Sequence, residues 1–343
     1  MRRVAVSALL FAYSMNAAAA RLKVDPARRL EPVGSERMAR VMRDAYAMFA
    51  LPDGSKWIVH KVPAKREPGA MGVTRFGPDG AAHVFLLSDW LPKGTIPGGW
   101  CGQVYGVARF DDGRIGVSGG WTDGVNVHNA IFILGGRDHG AFDVEKLVEL
   151  PSVRQLCAGP DDTILAITSD PGKRDGGPLL SLVRADGTVL PLGFLSAMPI
   201  SAGDAAQRAT KARISRYAER RFALYDPQIE SVVLFDLRVA KGEAVLAGNN
   251  VIFIGDDPHD PALLGFDVRP DGDLVVIRTG TVSGATATHL AVYDGSGAAP
   301  ALRKQTVITA HPWNFALPEA GGLRGVVFHD GVEFDTVEVE ARH

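Results

Sequence analysis

Sulfur is scarce in this chain: Cys101 and Cys157 are the only cysteines in 343 residues. So few exclude a disulfide-built scaffold. An excess of one charge is also missing. Lys and Arg number 37 against 39 Asp and Glu, for a net charge of −2. That balance removes the bulk electrostatic case for nucleic acid or for an anionic membrane surface. No apolar run reaches the length of a membrane-crossing helix. The chain also has no Asn-x-Ser/Thr acceptor for glycosylation.

Glycine and turn signals, by contrast, are plentiful, with 39 Gly and 21 Pro. The stretch YGVARFDDGRIGVSG, residues 105–119, sets the pattern. Two apolar strands flank Asp112-Gly113, a dipeptide suited to a hairpin because both residues tolerate positive φ. Similar strand–turn–strand units recur around Asp53, Asp161, Pro227, Asp271 and Glu319. A second series of turns runs between them, at Pro78-Asp79-Gly80, Asp138, Asp186-Gly187, Asn249-Asn250 and Asp294-Gly295. Each repeat thus holds four short strands. Four-stranded units repeating at about 40 to 50 residues predict an all-β, six-bladed β-propeller of antiparallel blades.

Residues 1–20 read separately. Arg2 and Arg3, an apolar run from Val4 to Met15 and Ala18-Ala19-Ala20 form the pattern of a secretory signal peptide. The expectation is a mature chain, 21–343, forming one propeller in a bacterial periplasm or outside the cell. The repeat alignment sets Cys101 before its blade and Cys157 inside the next. At about 3.3 Å per residue that separates them too far for a disulfide.

In order, Ser35 to Tyr46 reads as a short capped helix. Blade one spans about 47–89, blade two 103–150, blade three 153–195, blade four 221–255 and blade five 263–308. Blade six shows three strands, at 313–317, 323–328 and 332–340. Its fourth is expected from the N-terminal segment 21–33, so that the two chain ends close the ring. The long interval before blade four holds a Gly-free, Arg- and Ala-rich run, 204–221, read as a helical insertion. It is either a solvated face or a lid or docking helix for an acidic partner or ligand.

The repeated Pro-Asp-Gly between apolar strands, as in residues 51–54 and 269–272, resembles the six-bladed propellers of the NHL-repeat, TolB-like and SMP-30/gluconolactonase-like group. Such blades carry lactonases, lyases, dehydrogenases and plain binding modules. The resemblance implies a site at one mouth of the central channel. That mouth is lined by loops leading into each innermost strand and loops joining second and third strands. Here those loops offer Gln103, Trp121, Arg154, Arg278 and Trp313 as ligand-binding residues, and Asp123, His128, His259, Asp260 and His311 as candidate catalytic residues. His60, Lys61, Asn129 and Asp170 belong to the same loops. Asp256, Asp257 and His259 form a dense oxygen and imidazole set for a divalent metal such as Ca, Mg or Zn. At the first blade, where gluconolactonase-like proteins carry a Glu ligand, this chain has Asp44-Ala45-Tyr46.

Gly116-Val117-Ser118-Gly119-Gly120 fits the Gly-x-Ser-x-Gly pattern, which has meaning only on a strand-to-helix elbow. On a propeller strand its small residues serve packing. Two functions follow. One is an exported propeller binding a small molecule, glycan, peptide or partner protein at the mouth. The other is a metal-assisted or acid–base hydrolase or lyase using the His and Asp residues there.

Overall fold

The structure, a computed structural model, describes most of residues 45–338. Outside the description lie 1–44, 62–70, 92–101, 193–201, 254–262, 295–300, 309–311, 317–323, 339–343 and several short turns. The stretch expected to be a signal peptide, the segment 21–33 and most of the Ser35 to Tyr46 stretch expected to be helical fall there. Ala45 and Tyr46, at the end of that stretch, begin a strand.

Among the described residues, the strands form six antiparallel sheets. The first holds β1 (Ala45–Ala50), β2 (Lys56–Lys61), β3 (Met71–Phe76) and β4 (Ala82–Leu86). A 3-10 turn, Leu87–Trp90, follows. The second holds β5 (Gln103–Arg109), β6 (Ile115–Thr122), β7 (Val127–Gly136) and β8 (Phe142–Glu149). The third holds β9 (Val153–Ala158), β10 (Thr163–Thr168), β11 (Leu180–Arg184) and β12 (Val189–Leu192). A helix, α1 (Ala202–Lys211), leads into the fourth. That sheet holds β13 (Arg213–Ala218), β14 (Arg221–Asp226), β15 (Ser231–Ala240) and β16 (Glu243–Phe253). The fifth holds β17 (Leu263–Val268), β18 (Leu274–Val282), β19 (Ala285–Asp294) and β20 (Ala301–Ile308). The sixth has β21 (Pro312–Ala316), β22 (Arg324–His329) and β23 (Glu333–Glu338).

Every sheet is a simple meander. The first strands of successive sheets lie side by side: β1 near β5, β5 against β9, β9 against β13, β13 against β17, β17 near β21. β21 in turn lies against β1. This is the six-bladed propeller the repeats predict.

Blade four corrects two expectations. Its first strand is β13, residues 213–218, inside the stretch read as helix; α1 stops at Lys211. The pairing of Arg-Ile-Ser-Arg-Tyr-Ala with β14 overrides its helical composition. The turn between β13 and β14 is therefore Glu219-Arg220, and Pro227 follows the second strand rather than the first. Asn249 and Asn250, expected in a turn, pair with Phe235 and Leu234 inside β16.

The core is divided among the blade interfaces. Trp57, Leu87, Trp90, Val107, Val117 and Phe132 pack between blades one and two. Phe110, Ile131, Ile133, Leu156 and Ile164 pack between two and three. Leu165, Leu182, Phe222 and Phe235 join three to four, with Ala209 and Ala212 of α1 and the residue after it added. Gly106 permits a close backbone approach between blades two and three. A Cβ there would stand 2.6 Å from the Leu156 backbone nitrogen in the next blade. Ser118 lies within the same contact, buried, donating to the Arg154 carbonyl at 2.6 Å. The Gly-x-Ser-x-Gly of β6 thus serves blade packing. No helix among the described residues is long and apolar enough to cross a membrane.

Candidate functional site

A meander sends its loops to two ends. The loops leading into first strands and those joining second to third strands share one end, the mouth. The turns joining first to second strands share the other. At five of the six inner strands the first two strands slip register beside the mouth. Tyr46, Tyr105 and Leu264 are each the extra residue of such a bulge, and Arg154 and Gln155 together oppose Ile167. Bulges re-aim side chains away from the regular pleat. In β13 the slip falls at the opposite end, between Arg216 and Ala218, and α1 occupies the approach instead.

The described mouth residues meet across blades two, three and four. Tyr105 and Arg154, the bulge residues of neighbouring blades, stack with the guanidinium 4.6 Å from the ring centroid. A Cβ on Gly120 would collide with the Tyr105 ring, so glycine makes room for it. Arg154 Nη1 donates to Asn129 Oδ1 at 3.3 Å and to its neighbour's carbonyl, Val153 O, at 2.9 Å. Its Nε reaches Thr210 Oγ1 of α1 at 3.4 Å. Asn129 also donates to the Pro151 carbonyl at 3.2 Å. Arg213, opening β13, donates from Nη1 to the carbonyls of Thr210 and Ala212, at 2.9 and 2.8 Å. Burial pushes its guanidinium below the usual arginine value.

Beside this group stands the β6–β7 hairpin. The Asp123 carboxylate accepts from the N–H groups of Val125 and Asn126, at 2.8 and 2.7 Å. Its other oxygen lies 2.9 Å from His128 Nε2. The Asn126 N–H, His128 and the Val125 N–H hold this carboxyl far below the usual carboxylate range. The His128 ring lies flat on Trp121, centroids 5.4 Å apart at 13°. Trp121 continues through Phe132, Trp90, Phe85 and Trp57, each ring within 6 Å of the next. An aromatic chain therefore runs from the blade-one interface to His128. Trp121 itself is 4% exposed, so His128 covers it at the mouth. Val125 and Val127, at the hairpin tip, are 89% and 76% exposed. Three buried polar atoms have no hydrogen-bond partner among the described residues: Trp121 Nε1, Ser152 Oγ and Ser169 Oγ. All three residues sit at the mouth end of their strands.

α1 is locked in place by Arg208, whose Nε donates to Asp226 Oδ1 at 2.8 Å and whose Nη2 pairs with Oδ2. The two side chains are 6% and 0% exposed.

The sequence-predicted residues divide accordingly. Asp123, Trp121, His128 and Arg154 come together, and Gln103 is exposed at the start of β5, opposite Gly120. His60 is buried and hydrogen-bonded to Thr74 at 2.8 Å. Asp170 is engaged in its own turn with Gly172 and Lys173. Arg278 pairs across from Leu263 and His289 in β18, and Trp313 lies in β21. His259, Asp260, His311 and the metal set Asp256, Asp257 and His259 fall outside the described residues. Among the described residues no group of His, Cys, Asp or Glu is placed to hold a metal. Sequence reasoning missed Tyr105, Thr210 and Arg213. The first is placed by a bulge, the others by where α1 ends, and neither leaves a periodic signal.

No family model matches the chain, and no curated protein matches it. Among solved structures it is similar to a protein described as a glucose dehydrogenase-type oxidoreductase from Thermus thermophilus. That match has 16% identity and a TM-score of 0.45, over 85% of this chain and 95% of that one. A gluconolactonase from Xanthomonas campestris aligns at 14% identity and a TM-score of 0.39, over 84% and 92%. An ulvan-lyase polysaccharide lyase aligns at 11% and 0.41, over 85% and 78%. Similarity at these levels carries no functional argument.

Proposed function

We propose that this chain is an exported, ligand-binding propeller that takes a small polar molecule, glycan or peptide at the mouth shared by blades two to four. One observation carries the reading: the His128–Asp123 hairpin, Asn129, and the bulged pair Tyr105 and Arg154 converge with α1 at one end of the ring. Convergent polar groups beside an apolar rim are the usual make-up of a binding mouth. The test is a thermal-shift panel of neutral and acidic sugars, short peptides and lactones on the full chain. A binder present at about 100 times its Kd stabilises by about 2.7 kcal/mol. The shift is expected to vanish in His128→Ala; a panel without shifts, or shifts untouched by that change, contradicts the reading.

A second reading, an acid–base hydrolase or lyase at the same mouth, has one observation in its favour. Asp123 and His128 form a 2.9 Å dyad with the imidazole one-third exposed. Such a pair orients an imidazole for proton transfer. Turnover of a lactone or ester that is lost in both Asp123→Asn and His128→Ala supports it; turnover unchanged in either variant contradicts it.

A further inference from the structure

Resting on the mouth as the binding site, we infer that its ligand bears a carboxylate group, held by Arg154 and Arg213. The two guanidinium groups come from neighbouring blades and both anchor on Thr210, one on its hydroxyl and one on its carbonyl. Neither has a carboxylate within ion-pair distance among the described residues, although Arg208, Arg114, Arg220 and Arg303 all do. Lys211, exposed beside them, adds a third cation.

Arg213 binds the last carbonyls of α1, a common task for a basic side chain at a helix C-terminus. That task uses Nη1 alone. Its Nε–Nη2 edge, the fork that matches a carboxylate with two parallel hydrogen bonds, makes no hydrogen bond to the described residues. Arg154 spends Nε and Nη1 on Thr210, Asn129 and Val153, and its Nη2 is likewise unspent. The Tyr105 ring and Asn129 fix its plane. An arginine held in one plane, with part of its donor set unspent, is prepared to receive an anion. Arg213 is half-buried, so an anion there would meet its charge partly shielded from water. Asp123, in the neighbouring hairpin, does not compete, because its oxygens are taken by Val125, Asn126 and His128, and Asp226 is paired with Arg208.

The carboxylate could belong to an acidic sugar or to a small aliphatic acid, and calorimetry on the full chain separates them. The probes are galacturonate against galactose, and succinate against succinamide. At least one acid is expected to bind about tenfold or more tightly than its neutral counterpart; which one identifies the source. Arg213→Lys keeps a cation that can still cap α1 but loses the fork, and should weaken that acid about tenfold while leaving the melting temperature unchanged. Arg154→Gln should weaken that acid about tenfold as well. If neutral probes bind as well as acids, or if acid binding survives both changes, the carboxylate assignment fails while the mouth remains a site. If no probe binds, the assignment is overturned; the broader panel with His128→Ala then decides the mouth by itself.

Discussion

Asp123 shows how much one side chain organises at the mouth. Its carboxylate closes the β6–β7 turn through two N–H groups and holds His128 flat against Trp121. Its folded pKa lies below the unfolded value of about 3.9. The contribution is therefore fully present above about pH 4 and is lost as pH falls below that toward the folded value. Thermal melts from about pH 6 down to pH 2.5 should show the native chain losing stability on the acid limb, and Asp123→Asn losing less over that limb. Parallel curves would contradict this role. Ser118 is a different kind of residue. It is buried, and its hydroxyl donates to Arg154 O across the blade boundary. Ser118→Ala should cost about 1–2 kcal/mol by urea denaturation, the loss of one buried hydrogen bond. It should leave any lactone or ester turnover unchanged; a loss of turnover without loss of stability would make Ser118 a nucleophile after all.

At the scale of elements, α1 and the blade contacts set what can meet at the mouth. Arg208 and Asp226 pair out of water, and removing one partner leaves a buried charge. Arg208→Met is expected to cost about 3–5 kcal/mol in chemical denaturation. A cost under about 1 kcal/mol would mean that α1 is held by Ala209 and Ala212 packing alone. Gly106→Ala should cost about 1–3 kcal/mol, because backbone, not a movable side chain, stands where the Cβ would go. The elements were unevenly legible in the sequence. Blades two, three and five begin and end within a few residues of the expected positions, because Asp-Gly turns punctuate alternating apolar strands there. Blade four was shifted by one strand. Its first turn, Glu219-Arg220, contains none of the usual turn residues, and its first strand carries helical composition. The bulges that aim Tyr105 and Arg154 were invisible, since register is settled between strands rather than along one.

Across the whole molecule the two ends of the ring differ in kind. The end opposite the mouth is closed by mutual pairing. The Asp162 N–H donates to Asp111 and the Asp112 N–H donates to Asp162, joining the turns of blades two and three. Arg114 spans Asp112, Asp162, Glu145 and the Ala185 carbonyl, and Arg220 reaches Asp161. Desolvation opposes ionisation of Asp112, but the hydrogen bonds from Arg114 outweigh it and hold the carboxyl below its usual value. Those charges satisfy one another, whereas at the mouth Arg154 and Arg213 face neutral groups among the described residues. The propeller was readable from repeats because every blade needs the same strands. The site was only half readable because it depends on which residues neighbouring blades bring into contact. Binding is proposed at the mouth of blades two to four. Crystallographic fragment screening of the full chain tests this whatever the ligand's identity. Fragments are predicted to gather between Tyr105, His128, Arg154 and Arg213, with carboxylates foremost. Fragments that collect instead at the opposite end, around Arg114 and Asp162, or scatter without preference, would contradict it.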